Sequence, residues 1–147
     1  MTTRPMLNKA VPEAYKTTAT LSQQAENAAL EAGIAPLTLE LVRIRASQIN
    51  GCGFCLRMHV RDALANGETT DRIAVLPAWR ETQYFSPAER AALAIAEEIT
   101  HIGVRTPGVD DDTAAITDQQ AAALRWVAIA INAFNRVAIS SHYVVEP

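Results

Sequence analysis

Cys52 and Cys55 are the only cysteines in the chain, and His59 follows four residues after the second. If the run after Gly51 is helical, Cys52, Cys55 and His59 stand at i, i+3 and i+7 and face one side within two turns. A thiol pair and an imidazole then share one small volume. A thiol reacts as its thiolate, and the unpaired amides of a helix N-terminus raise its acidity. His59 is placed to take the thiol proton or to stabilise the thiolate as imidazolium. Oxidation by a peroxide gives a sulfenic acid, which the second thiol condenses with to a disulfide. Adjacency to His59 favours Cys55 as the attacking residue, and nearness to the helix start favours Cys52; both assignments stay open.

Two other chemistries compete. Free cysteine is a common core residue, so an inert buried pair is one reading. Metal binding is the other: Cys52, Cys55 and His59 supply three ligands, which His101, His142 or Glu40 would have to complete. Structural zinc usually takes four ligands and often a second close pair, which is lacking here. The glycines at 51 and 53, the helix start and the histidine together favour redox chemistry.

The flanking elements read as helices. Met1 to Val11 has no periodicity and reads as an extended arm, draped on a partner subunit. Pro12 suits a first helical position, and an apolar pattern from Tyr15 to Ala32 stops at Gly33. Pro36 opens a second helix, apolar on most sides, that Asn50-Gly51 breaks; Glu40 lies in its first turn or so, as a carboxylate favoured there by the dipole. A third helix starts near Cys52 and runs to Asn66, with Gly67 as its stop. Thr70 and Asp71 cap a short helix that Pro77 ends, and Trp79 and Tyr84-Phe85 bracket a link that would cover the cysteine face as a hydrophobic plug.

Ser86-Pro87-Ala88-Glu89 is a strong helix start, and that helix closes at Gly103 with His101 as a surface residue of its last turn. Three aspartates in a Pro/Gly-rich turn precede a restart at Thr117-Asp118. The segment Leu124 to Ile139 is apolar nearly all round, which calls for burial at the centre or at an oligomer interface. No stretch shows the alternation of strands. The fold class is therefore all-α, about six or seven helices in one domain over residues 1–147.

The totals exclude several classes. Hydrophobic residues make up 49% of the 147 while aromatics are 5%, so the core is Ala, Leu, Ile and Val, a composition of closely packed helices. A net charge of -3 without a basic stripe argues against nucleic acid as a partner. The start lacks the apolar region of a signal peptide, and the most apolar run, Trp126 to Ala133, is too short for a bilayer, so no membrane is expected. Two cysteines three residues apart cannot staple distant segments. The expected compartment is reducing and cytoplasmic.

The run from Glu40 through Ser47-Gln48-Ile49-Asn50-Gly51-Cys52-Gly53-Phe54-Cys55 to His59 resembles the core of the carboxymuconolactone decarboxylase superfamily, in its AhpD-like alkylhydroperoxidase branch. Looser likeness continues through Ser86 to Ala94 and Ile131 to Arg136, and covers about Pro12 to Ile139. The resemblance implies an all-helical fold, trimers or hexamers, and a thiol peroxidase without cofactor. By the same resemblance Cys52 and Cys55 form the redox pair, with His59 as its histidine. Glu40 is the upstream glutamate that joins His59 in a proton relay, and its apolar helix is expected to raise its pKa.

The implied partners are a peroxide and a dithiol reductant, either a thioredoxin-like or a lipoyl protein. Founding members carry a second histidine between the cysteines where this chain has Phe54. That difference supports an alternative, a disulfide adaptor or sensor exchanging with a partner dithiol without peroxidase turnover. True lactone decarboxylases of the superfamily do not depend on a CxxC, so its presence argues against decarboxylation.

Overall fold

The computed structural model describes residues 3–147; Met1 and Thr2 of the expected arm lie outside the described residues. Among the described residues there are eight α-helices and no strand. They are α1 (Leu7–Ala10), α2 (Pro12–Glu31), α3 (Pro36–Asn50), α4 (Gly53–Ala65), α5 (Thr70–Val75), α6 (Pro87–Thr100), α7 (Val109–Thr113) and α8 (Asp118–Ser140), with a 3-10 segment at Leu76–Glu81.

Local chemistry sets most boundaries. Pro12, Pro36 and Pro87 occupy first-turn positions, where the missing N–H costs nothing. Ser86 and Glu89 form a reciprocal capping box at α6, and Thr117 and Gln120 form a second at α8. Three expectations are corrected. The arm contains a helical turn, α1, whose Leu7 N–H donates to Ser141 Oγ at 3.1 Å. The cap of α5 is Thr69, whose hydroxyl accepts from Arg72 N, rather than Thr70 or Asp71. Pro77 does not end α5 abruptly: fixed φ suits a 3-10 turn, and the helix tightens into Leu76–Glu81.

Three helices, α2, α3 and α6, pack around α8, and α3 also packs on α4. One core cluster joins Ala25, Ala29, Leu39, Val42, Ile95, Leu124 and Val127, where alanines let the helices approach closely. A second holds Leu41, Ile44, Leu76, Trp79 and Leu93. Each fully buried Leu or Ile contributes roughly 1.5–3 kcal/mol relative to exposure. At 23 residues α8 is long and apolar enough, by length and composition, to cross a bilayer, which corrects the shorter estimate from Trp126–Ala133. Half of its most apolar window is buried in the bundle, where it is the helix the others share.

Candidate active site

The turn between α3 and α4 fixes the cysteines. Gly51 caps α3 in the left-handed region, with φ 71° and ψ 32°, a conformation that a Cβ would strain. The Cys52 N–H then donates back to Ser47 O at 3.0 Å, so the chain reverses at once into α4. Cys52 becomes the N-cap of α4, and its Sγ accepts from the Cys55 N–H at 3.3 Å. Both cysteines thus sit at the positive end of a 13-residue helix, where a thiolate is stabilised. They are joined as a disulfide with Cα atoms 5.3 Å apart, and both are buried.

A network of amides anchors this turn to the core. Asn50 Nδ2 donates to Asn132 Oδ1 and Asn135 Oδ1, each at 2.9 Å, and Asn135 Nδ2 donates to Ser47 Oγ at 3.0 Å. Sequence reading missed it. The available signal was a pair of amides at i, i+3 on the otherwise apolar α8, facing Ser47 and Asn50 at i, i+3 on α3.

His59 lies one turn beyond Cys55 and is buried. Its Nδ1 is 2.8 Å from Glu40 Oε2, which brings α3 and α4 together at a carboxylate–imidazole pair. The other oxygen of Glu40 accepts from Arg43 Nη1 at 2.6 Å, and Arg43 Nη2 reaches Glu26 Oε2 on α2 at 2.5 Å. Burial pushes the Glu40 carboxyl up, but the His59 hydrogen bond and the Arg43 charge outweigh it and hold the pKa below the usual 4.5. The expectation of a raised Glu40 pKa is therefore corrected. The apolar helix desolvates the group, yet the His59 hydrogen bond and then the Arg43 charge, one turn away, restore the preference for the anion.

Cys55, Glu40, Arg43 and His59 border one cavity of about 1030 Å³, whose other wall includes Tyr15, Phe134 and Met58. Cys52 borders a separate cleft of about 230 Å³, rimmed by Gly51 and Gly53. Phe54, Ala138, His142, Tyr143 and Val144 line both spaces. Ala138 and Tyr143 pack against the two sulfur residues, and the Phe54 ring meets Tyr143 edge-to-face with centroids 5.1 Å apart. The cover of the cysteines is thus the segment after α8. Trp79 and Phe85, expected as that plug, lie in the second core cluster instead, because Trp79 Nε1 is drawn to Glu97 Oε1 at 2.9 Å.

The other titratable candidates scatter. His101 is the C-cap of α6 and exposed. His142 is exposed and lies at the cavity. Among the described residues, the grouping able to hold a metal ion is Glu40, His59 and Asp62, with donor atoms within 4.8 Å of one another. It includes neither sulfur, and the Arg43 guanidinium on Glu40 opposes a cation there.

Comparison with known proteins follows the same lines. A model of the carboxymuconolactone decarboxylase family matches residues 12–98, which include Glu40, both cysteines and His59. Over 65 residues the chain is 54% identical to the uncharacterized protein YdfG of Bacillus subtilis (strain 168), a match spanning 44% of each chain, so under half of that relative's length is covered. The whole chain superposes on the crystal structure of a protein of unknown function from Agrobacterium tumefaciens, for which a role in antioxidant defence as AhpD has been suggested. That superposition has a TM-score of 0.83 and 30% identity and covers 99% of both chains. With an AhpD-like fold and a CxxC pair suited to a redox role, this chain belongs to the carboxymuconolactone decarboxylase family.

Proposed function

We propose that the protein is a cytoplasmic thiol peroxidase that reduces hydrogen peroxide or organic hydroperoxides through a Cys52–Cys55 disulfide and is returned to the dithiol by a thioredoxin-like or lipoyl partner. One observation carries the reading: Cys55 shares a cavity with His59 and Glu40, while Cys52 borders a different cleft yet lies within bonding distance. That asymmetry supports Cys55 as the peroxidatic residue and Cys52 as the resolving one.

In the reduced protein, His59 takes the Cys55 proton on Nε2 while its Nδ1–H donates to Glu40. The Cys55 thiolate attacks the terminal peroxide oxygen. The O–O bond breaks, the alkoxide leaves with the imidazolium proton as an alcohol, and Cys55 becomes a sulfenic acid. Cys52 then attacks Cys55 Sγ and expels the hydroxyl as water, which forms the disulfide. A dithiol closes the cycle: one thiolate attacks Cys52, Cys55 leaves as thiolate, and the second thiol releases Cys52. The sum is hydroperoxide plus dithiol giving alcohol, water and partner disulfide.

The cavity supports an organic hydroperoxide over hydrogen peroxide. About 1030 Å³ with Tyr15, Met58, Ile131 and Phe134 in its wall is far larger than hydrogen peroxide needs and offers apolar burial to an organic group. Exposed Trp126 and Ile129 on α8 support a homo-oligomer, for which the family resemblance implies a trimer or hexamer.

A stopped-flow experiment tests the proposal: reduced protein is mixed with cumene hydroperoxide or hydrogen peroxide and loss of thiols is followed. Rapid loss of two thiols per chain, faster with the organic peroxide, is expected. Thiols that survive both peroxides would sink the reading. Phe54 favours the second reading, a disulfide adaptor without peroxidase turnover, since its ring is engaged with Tyr143 and carries no proton. The adaptor predicts fast exchange with dihydrolipoamide beside negligible reaction with either peroxide.

A further inference from the structure

We propose that Arg43 is a positioning residue: by clamping one oxygen of Glu40 against α2, it leaves the other to accept the His59 Nδ1 proton and so fixes Nε2 as the free, basic nitrogen of the imidazole. The inference rests on the peroxidase or adaptor reading of the same site, in which His59 serves Cys55.

Glu26, Arg43, Glu40 and His59 form one chain of charged contacts across α2, α3 and α4, at 2.5, 2.6 and 2.8 Å. The Arg43 side chain is only 11% exposed and that of Glu40 13%, so water screens this pair little. A carboxylate alone can rotate and offer either oxygen to the imidazole. With Oε1 taken by Arg43, the carboxylate plane is set and Oε2 is the oxygen left for His59. A proton on Nδ1 leaves Nε2 unprotonated in the neutral ring.

The guanidinium has a second task. The charged and titratable groups lining this cavity are Tyr15 and Glu26 from α2, Glu40 and Arg43 from α3, Cys55, His59 and Asp62 from α4, and His142 and Tyr143 after α8. Without Arg43, the carboxylates of Glu26, Glu40 and Asp62 would share this cavity with no guanidinium between them, and burial would favour a protonated Glu40 that no longer accepts from His59. Arg suits the position because its fork spans two carboxylates at once; a Lys ammonium is a single point on a flexible stem. Glu26 holds the outer end of the fork, so the orientation of His59 depends on how α2 docks.

The test uses the reduced full-length protein and iodoacetamide, whose rate against pH reports the thiolate without any peroxide. Failure of the peroxidase reading therefore leaves this test intact. Arg43→Met is expected to slow alkylation about tenfold and to add an acidic limb, in mildly acidic solution, that the unaltered protein lacks. Arg43→Lys should restore part of the rate, and adding Arg43→Met to Glu40→Gln should change nothing further. Nitrogen-15 NMR of the His59 ring should show Nδ1 protonated in the unaltered protein and a tautomer mixture in Arg43→Met. An unchanged pH profile and tautomer in Arg43→Met, or full additivity with Glu40→Gln, would overturn the proposal. Should Arg43→Met fail to fold, Glu26→Gln decides: a smaller slowing in the same direction supports the clamp, and no change refutes it.

Discussion

Oε2 of Glu40 and Nδ1 of His59 stand 2.8 Å apart, although 19 residues of chain separate them. In the proposed relay Glu40 is the acceptor that keeps the imidazole oriented, and the His59 hydrogen bond and the Arg43 charge favour its anion. Glu40→Gln retains the shape and loses the charge. Its rate of thiol oxidation by peroxide should fall roughly 100-fold, the lower range for a lost proton-transfer partner. Glu40 is depressed in the fold, so its stabilising contribution is complete above the unfolded pKa near 4.5 and is lost as pH falls through the lower folded value. Thermal melts of the unaltered protein and Glu40→Gln should therefore differ most at neutral pH and converge in acid. Parallel melting curves down to the lowest pH would contradict the assignment.

The two sulfur residues should be chemically unequal. Cys55 shares the cavity of His59, so it is expected to be the better leaving thiolate, with an incoming dithiol attacking Cys52 from the smaller cleft. Mixing the oxidised protein with a thioredoxin whose second cysteine is replaced by serine should trap a mixed disulfide. Peptide mass spectrometry should find it on Cys52. Linkage to Cys55 would reverse the order of attack.

Phe54 occupies the position between the cysteines and packs edge-to-face on Tyr143, which itself lies on the disulfide. Such aromatic pairs contribute about 0.5–1.5 kcal/mol beyond area. Phe54→Ala should lower the unfolding free energy by about 1 kcal/mol in urea titration and speed reduction by bulky dithiols, because Tyr143 loses the ring that holds it. Slower reduction with unchanged stability would show that Phe54 contacts the reductant instead of shielding the sulfurs.

The helices were legible because their signals are local. Pro12, Pro36 and Pro87, the Ser86 and Thr117 boxes and the Gly51 stop each act within a few residues. The placement of Cys55 beside His59 was legible for the same reason, being one helix read at its own period, whereas Cys52 was expected on the same face and is instead the N-cap of α4 on a separate cleft. What lies across helices was not. The Arg43 clamp depends on Glu26 of α2, and the cover of the disulfide by Tyr143 depends on where α8 ends. Trp79 misled because an aromatic bracketing a linking segment reads as a plug for the cysteine face, whereas it packs in the second core cluster with its indole N–H on Glu97. The Glu40 pKa was misjudged because burial was visible in the apolar run, whereas the His59 hydrogen bond across helices and the Arg43 charge that together outweigh it were not.

The amides beneath the turn give a prediction that separates position from chemistry. Asn135 is fully buried and donates to Ser47 while accepting from Asn50, which also donates to Asn132. In Asn135→Ala, the buried Ser47 hydroxyl loses its donor and Asn50 loses one of its two acceptors; each buried polar group left unsatisfied costs roughly 1–3 kcal/mol. Asn135→Leu adds apolar volume but leaves the same groups unpaired, so it should be no more stable. Both variants should unfold at lower urea with an unchanged slope. Because Ser47 O also holds the Cys52 N–H, the same substitutions should loosen the turn that sets the cysteines. Amide exchange at Cys52 should quicken while that of α6 stays slow. A variant that unfolds at lower urea with Cys52 still fully protected would mean that the Gly51 turn holds the site without help from α8.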